Sequence, residues 1–139
     1  MAGSARRVLY LDASAIVKLV VREDETGELE RYVEEAEMVT SELSAVEVPR
    51  AAHLKTGAAE TIAHAEALLR RFYLVALDDE VKGAAARAAP TGLRTLDAIH
   101  LASAARMRDR IEAVVAYDRR LADAARDAGL RVDAPEAVR

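Results

Sequence analysis

The sequence predicts an α/β fold in which helices cover both faces of a central parallel sheet, giving a three-layer α/β/α sandwich. Short apolar runs rich in valine, typical of buried strands, alternate along the chain with longer segments whose apolar residues recur every three or four positions. Strands that alternate with helices form parallel sheets with both faces covered. At 139 residues the chain has the length of one domain, and we predict a single domain over residues 1–139.

Five strands and seven helices follow from this pattern. The predicted strands are residues 8–11, 38–40, 73–77, 113–116 and 130–132. The predicted helices are residues 13–21, 25–35, 42–55, 60–72, 79–88, 96–107 and 119–128. Three helices have a capping residue at their start, and the last has a glycine at its end: Ser41, Thr95, Asp118 and Gly129.

The composition excludes several classes of function. The chain has no cysteine, which excludes thiol nucleophiles, disulfide frameworks and Cys-based zinc sites, and fits a reducing compartment such as the cytoplasm. The apolar run at residues 8–11 is too short for a signal peptide or a membrane span, so we expect no membrane association. A net charge of -4 argues against coating nucleic acid by simple charge attraction, so any nucleic-acid role must be local.

Two aspartates follow predicted strands directly. Asp12 comes after the first strand, and Asp118 comes after the strand at residues 113–116. Ligand crevices in open parallel sheets lie beyond the carboxyl ends of the strands, so we expect both carboxylates at one edge. Each aspartate is also a favoured N-cap, and capping alone is an equally plain interpretation of either one.

Two further acids lie inside predicted helices. Glu47 is on a helix stripe that should face the core, where a carboxylate needs a partner, either a metal ion or a salt bridge to Arg50 or Arg94. Asp97 falls in the first turn of its helix, where the helix dipole already favours a negative charge. It shares a helix face with Leu101, which points it toward a packed edge. The four acids together indicate more than any one of them.

The segments around these acids resemble the PIN-domain nucleases, and the VapC-type toxins in particular. The matching segments are Leu-Asp-Ala-Ser-Ala at residues 11–15, Ser-Ala-Val-Glu-Val-Pro-Arg at 44–50, Leu-Asp-Ala-Ile-His-Leu-Ala at 96–102 and Tyr-Asp-Arg-Arg-Leu at 117–121. The resemblance runs from about residue 8 to residue 132, and the order, spacing and flanking residues all agree.

This resemblance implies an endoribonuclease, usually the toxin of a type II toxin-antitoxin pair, with Mg²⁺ or Mn²⁺ held by Asp12, Glu47, Asp97 and Asp118. A metal-activated water would attack phosphorus and leave 5′-phosphate and 3′-hydroxyl ends. Ser14 would support the first acid, with a local turn as the alternative, and Thr95 would either support the site or only cap its helix. The implied partners are an RNA substrate, a cognate antitoxin protein and a second copy in a homodimer.

Other charged side chains have less defined roles. Glu42 and Asp123 are extra acids that either enter the site or line its rim. Backbone phosphates of RNA would be met by nearby cations, unless these are only solvated surface: Lys18, Arg94, Arg119 and Arg120. The three histidines, His53, His64 and His100, have no cysteine or carboxylate at ligand spacing, so we interpret them as packing or surface residues and His100 as structural.

Two other classes of function have features in common with this sequence. A phosphotransferase or receiver-like domain also begins with an aspartate after its first strand, but Asp12-Ala-Ser lacks the second aspartate of an Asp-x-Asp pair. A catalytically silent RNA-binding or scaffold module with a vestigial acidic site remains the alternative. It differs from the nuclease in having no affinity for Mn²⁺ and no metal-dependent RNA cleavage.

Overall fold

The computed structural model describes residues 6–136, in which five strands form one parallel sheet. The strands are β1 (Val8–Leu11), β2 (Glu37–Ser41), β3 (Phe72–Val75), β4 (Ala113–Val115) and β5 (Val132–Asp133). The helices are α1 (Ala13–Val20), α2 (Thr26–Val33), α3 (Ser44–Thr56), α4 (Glu60–Leu69), α5 (Asp79–Ala86), α6 (Thr95–Arg106) and α7 (Arg119–Asp127). No helix in this part of the chain is long and apolar enough to cross a bilayer.

The sheet has the strand order β3-β2-β1-β4-β5, and each of its faces is the floor of a separate apolar core. Successive strand residues point to opposite faces. On β1, Tyr10 therefore joins the core formed with α5, α6 and α7, whereas Leu9 and Leu11 join the core formed with α1 to α4. This arrangement confirms the predicted three-layer α/β/α sandwich with a central parallel sheet.

The last predicted strand and the end of the fourth predicted helix are displaced for local reasons. The predicted helix at residues 60–72 ends at Leu69, because Phe72 pairs with Met38 in the sheet instead of continuing the helix. The last strand begins at Val132, because Leu130 closes the end of α7 by donating its N–H to the Ala125 carbonyl at 2.9 Å.

Two of the predicted helix caps are wrong and two are confirmed. Ser41 ends β2 and accepts a hydrogen bond from the Leu43 N–H at 3.1 Å, and α3 begins only at Ser44. Thr95 is the first residue of α6, so the N-cap position belongs to Arg94. Asp118 caps α7 as predicted, and Gly129 terminates that helix with a φ of 87°, a left-handed conformation that suits glycine.

Candidate functional site

Asp12 and Asp118 lie at the same edge of the sheet, as predicted. The order of the strands reverses beside β1, because β2 and β3 lie on one side of it and β4 and β5 on the other. A ligand crevice forms at such a switch point, beyond the carboxyl ends of the strands. Asp12 directly follows β1 and Asp118 follows the neighbouring strand β4, so the sheet brings their backbones to this crevice.

Asp12 is the most buried of the four acids, with 4% of its surface exposed. Its Oδ1 accepts the Ala15 N–H at 3.0 Å, which caps α1, and the Ser14 hydroxyl lies 2.7 and 2.9 Å from its two carboxylate oxygens. Burial raises the pKa of Asp12, against the lowering effect of His100 and these hydrogen bonds, while the charge of Asp97 raises it further. Capping therefore accounts for one oxygen of Asp12 but does not remove the cost of burying its charge.

Ser14 connects the two strand ends at the crevice. Its Oγ donates toward Asp12 and accepts the Tyr117 N–H at 3.4 Å, one residue before Asp118. The backbone repeats this connection, because the Asp12 N–H donates to the Val115 carbonyl at 3.2 Å. Ser14 thus contacts the first acid, as the resemblance implies, and also holds the segment that carries the fourth.

Asp97 and Asp118 are half-buried and interact electrostatically. Asp118 caps α7 by accepting the Leu121 N–H at 3.0 Å. Asp97 lies in the first turn of α6. Burial raises the pKa of Asp97 most, and the negative charges of Asp118 and Glu47 raise it further. His100 and Arg94 have the opposite effect and lower this pKa. The charge of Asp97 also raises the pKa of Asp12, so Asp97 interacts electrostatically with each of the other three predicted acids.

Glu47 pairs with His100 and not with Arg50 or Arg94. His100 Nε2 lies 2.7 Å from Glu47 Oε1, and only 3% of the His100 side chain is exposed. The interpretation of His100 as a structural residue with no carboxylate partner was therefore incomplete. Glu47 and His100 lie on α3 and α6, helices from opposite layers, so helix spacing could not predict their contact. The signal that was present is the spacing of three residues between Asp97 and His100, which puts both on one helix face.

Several other side chains lie apart from the acids. Thr95 lines a pocket between α5 and α6 with Leu77 and Ile99, and no hydrogen bond between residues 6 and 136 joins it to any of the four acids. Glu42 is exposed and accepts a hydrogen bond from the Leu77 N–H. Asp123 is exposed and pairs with Arg126 at 3.5 Å. Thr95 is neither a cap nor a hydrogen-bonded support in this structure, and the two extra acids are bound elsewhere.

Lys18 is occupied by other contacts. Its Nζ lies 2.9 Å from Glu23 and 3.1 Å from Glu25, and it covers the ring of Tyr117 at 4.8 Å from the ring centre. A cation with two carboxylate partners has little positive charge left for a phosphate, which makes Lys18 a weak candidate for binding RNA.

The acids provide suitable oxygen donors for a divalent cation but are not arranged around one point. Within residues 6–136, no group of three or more Asp, Glu or His side chains converges closely enough to hold an ion. Binding a cation at three or more of these groups therefore requires their side chains to move closer together, although the backbones of Asp12 and Asp118 already lie at the same edge of the sheet.

Comparison with known proteins gives a consistent result. Residues 9–127 match the family model described as PIN domain. Ribonuclease VapC46 of Mycobacterium tuberculosis is 43% identical, covering 91% of this chain and 97% of its own length. Ribonuclease VapC47 of the same species is 36% identical, covering 95% of this chain and 100% of its own length.

Two crystal structures share the fold. VapC20 of Mycobacterium tuberculosis, described as a toxin that cleaves the sarcin-ricin loop, has a TM-score of 0.70 at 17% identity, covering 91% of this chain and 99% of its own. VapBC2 of Rickettsia felis, bound to a DNA fragment from its promoter, has a TM-score of 0.67 at 12% identity, covering 93% and 99%. At these identities the two structures support the fold alone.

Proposed function

The chain belongs to the PIN-domain family, among the VapC ribonucleases, and from this membership we propose that it is the metal-dependent endoribonuclease of a toxin-antitoxin pair, acting through Asp12, Glu47, Asp97 and Asp118. The resemblance found in the sequence is confirmed by the family match and by the relatives, which are named ribonucleases. The assignment of the site is supported by the position of Asp12 and Asp118 at the switch point of the sheet, together with the electrostatic interaction of Asp97 with each of the other three acids.

VapC nucleases of the PIN family are generally metal-dependent, and the donor atoms here fit that requirement. Carboxylate oxygens are hard ligands that suit Mg²⁺ and Mn²⁺, the two ions we propose. The fit is also electrostatic, because burial and neighbouring negative charges disfavour the ionised forms of Asp12 and Asp97 and raise their pKa values. A bound dication would stabilise these ionised forms. When bound, such an ion supplies a lowered pKa for its water and a positive charge beside the phosphate.

The side chains of the chain itself would orient the reactants. Ser14 and the Ala15 N–H hold the Asp12 carboxylate in one orientation, and His100 does the same for Glu47. Carboxylates held in this way accept hydrogen bonds from water in fixed directions, which favours in-line attack on phosphorus. The bond from phosphorus to the 3′ oxygen breaks in this reaction, leaving a 5′-phosphate and a 3′-hydroxyl.

The partners are proposed on the same basis. We propose that this chain has a cognate antitoxin, as the resemblance to toxins of toxin-antitoxin pairs implies and as the fold shared with VapBC2 of Rickettsia felis supports. RNA is the proposed substrate, since the relatives are named ribonucleases. We further propose that residues 1–139 form a single PIN domain and that the protein is a homodimer. We also propose a cytoplasmic location, because a chain without cysteine suits a reducing compartment.

The proposal is tested by metal-dependent RNA cleavage. The purified full chain is expected to cleave RNA with Mg²⁺ or Mn²⁺ and not with excess chelator, and Asp97→Asn is expected to abolish cleavage because it removes charge with little change in volume. Asp123→Asn is the matched control: this aspartate is exposed on α7 and paired with Arg126, so its loss should leave cleavage unchanged. Cleavage by Asp97→Asn at the wild-type rate would refute the assignment.

The silent-module alternative is decided by the same protein. A vestigial site is expected to bind no Mn²⁺ in calorimetry and to give no metal-dependent cleavage. Detection of both in the wild-type chain would exclude that alternative.

A further inference from the structure

His100 is a buried histidine with both ring nitrogens occupied. Nδ1 lies 2.7 Å from the Tyr10 hydroxyl, and Nε2 lies 2.7 Å from Glu47 Oε1. The rings of Tyr10 and His100 meet edge to face, with their centres 5.9 Å apart and their planes at 77°. Two short hydrogen bonds and an aromatic contact therefore hold the imidazole in one orientation.

The partners assign the hydrogens on this ring. A carboxylate only accepts hydrogen bonds, so Nε2 carries the hydrogen that points to Glu47. In the neutral imidazole, Nδ1 is then an acceptor, and the Tyr10 hydroxyl donates to it. Tyr10 is itself buried in the core beneath α6, so the tautomer is set from inside the protein and not by solvent.

The bond to His100 uses only one oxygen of Glu47. Between residues 6 and 136 no hydrogen bond engages Oε2, and 18% of the Glu47 side chain is exposed. The charge of Glu47 acts on Asp97, whose pKa it helps to raise. The geometry therefore fixes the carboxylate through Oε1 and leaves its other oxygen without a hydrogen bond from residues 6–136.

We propose that His100 is a positioning residue: held by Tyr10, it fixes the orientation of the Glu47 carboxylate, so that Glu47 and Asp97 can share a divalent cation. This inference rests on the proposed function, because it assigns a task within the same site. Histidines that support a carboxylate ligand act through its orientation, and loss of such a support costs about 10- to 100-fold in metal affinity or activity. A residue that only packs the interior would affect stability and would not act through Glu47.

Two amide substitutions separate these roles. The amide of His100→Gln extends about as far as Nε2 and can still donate to Glu47, whereas the amide of His100→Asn extends only as far as Nδ1. Both variants place a neutral amide on the side chain of residue 100, so they differ mainly in how far that amide extends. His100→Asn is expected to lose about 10- to 100-fold in affinity for Mn²⁺ alone, measured by calorimetry, and a similar factor in kcat for RNA cleavage, with KM unchanged. His100→Gln is expected to recover most of both losses.

A double-mutant cycle tests whether His100 acts through Glu47. In a Glu47→Gln background, His100→Asn is expected to cause no further loss of Mn²⁺ affinity, because the carboxylate that it positions is already gone. Losses that multiply in the double variant would overturn the proposal. If His100→Asn does not fold, Tyr10→Phe removes only the hydroxyl that fixes Nδ1, and an unchanged Mn²⁺ affinity and kcat in that variant would overturn it equally.

The wild-type chain distinguishes failure of this inference from failure of the proposed function. If the wild type neither binds Mn²⁺ nor cleaves RNA, the nuclease function fails and the role of His100 falls with it. If the wild type does both and His100→Asn matches it, or if His100→Gln is as impaired as His100→Asn, only the positioning role is refuted.

Discussion

Replacing Asp12 by asparagine or by alanine should separate its contribution to catalysis from its contribution to stability. Both changes remove the negative charge and are expected to abolish RNA cleavage. Asparagine keeps an oxygen that can accept the Ala15 N–H, now 3.0 Å from Oδ1, and keeps a polar partner for Ser14. Alanine leaves the N–H of buried Ala15 and the Ser14 hydroxyl without this partner.

The difference between the two variants can be worked out from the cap. Loss of an N-cap side chain costs about 1 kcal/mol and up to about 2 kcal/mol in proteins. The buried position of Asp12 places it toward the upper part of that range. With an unfolding entropy of about 2.1 cal/mol/K per residue over 139 residues, 1 kcal/mol corresponds to about 3 °C. We therefore expect Asp12→Ala to melt about 3 to 7 °C below Asp12→Asn.

Thermal unfolding followed by circular dichroism at neutral pH, in excess chelator, measures this difference. Asp78 provides the control, because it caps α5 in the same way, accepting the Val81 N–H at 2.9 Å, and is not among the proposed site residues. Asp78→Asn and Asp78→Ala should differ in Tm in the same direction while both keep cleavage. Equal Tm values for the two Asp12 variants would refute the cap, and cleavage by Asp12→Asn would refute the site.

Three further outcomes are expected. Burial and the charge of Asp118 raise the pKa of Asp97, so the ionised form of Asp97 destabilises the folded protein. Without metal, Asp97→Asn should therefore have a higher Tm than the wild type near neutral pH. This Tm difference should vanish below the ordinary aspartate pKa, where the carboxyl is protonated in both the folded and unfolded states. In the same melting assay, Mn²⁺ at about 100 times its Kd should stabilise the wild type by about 2.7 kcal/mol and should stabilise Asp97→Asn by much less. Equal increases in Tm for the two proteins would contradict a metal site that includes Asp97. Gly129→Ala, at a φ of 87°, should lower Tm by about 3 °C from a cost of about 1 kcal/mol while cleavage persists, and an unchanged Tm would argue against the left-handed cap.

The positions of Asp12 and Asp118 could be predicted because they depend on a property of the whole fold. The carboxyl ends of parallel strands share an edge, so an acid that follows a strand is placed as soon as the strand is recognised. The same reasoning failed at finer scale. Ser41 and Thr95 are good capping residues by type, but β2 extends through Ser41 and α6 begins at Thr95 itself. Helix and strand ends depend on tertiary contacts that short patterns do not contain.

The partner of Glu47 could not be predicted for a related reason. Arg50 lies three residues from Glu47, whereas His100 lies 53 positions away and in the opposite layer. The two meet because α3 and α6 both pack against β2, one on each side of the sheet. A buried histidine at a spacing of three from Asp97 was the one local indication, and it could be recognised only once a carboxylate was known to face it.

The caps at Asp12 and Asp118 have a consequence for genetics. Each residue starts a helix through an oxygen that asparagine also possesses, and aspartate codons become asparagine codons by a single nucleotide change. Cells that survive expression of the active chain should therefore often carry full-length, folded copies with asparagine at one of these two positions. Such alleles would accumulate intact protein, whereas truncations and core substitutions would leave little to detect on a blot.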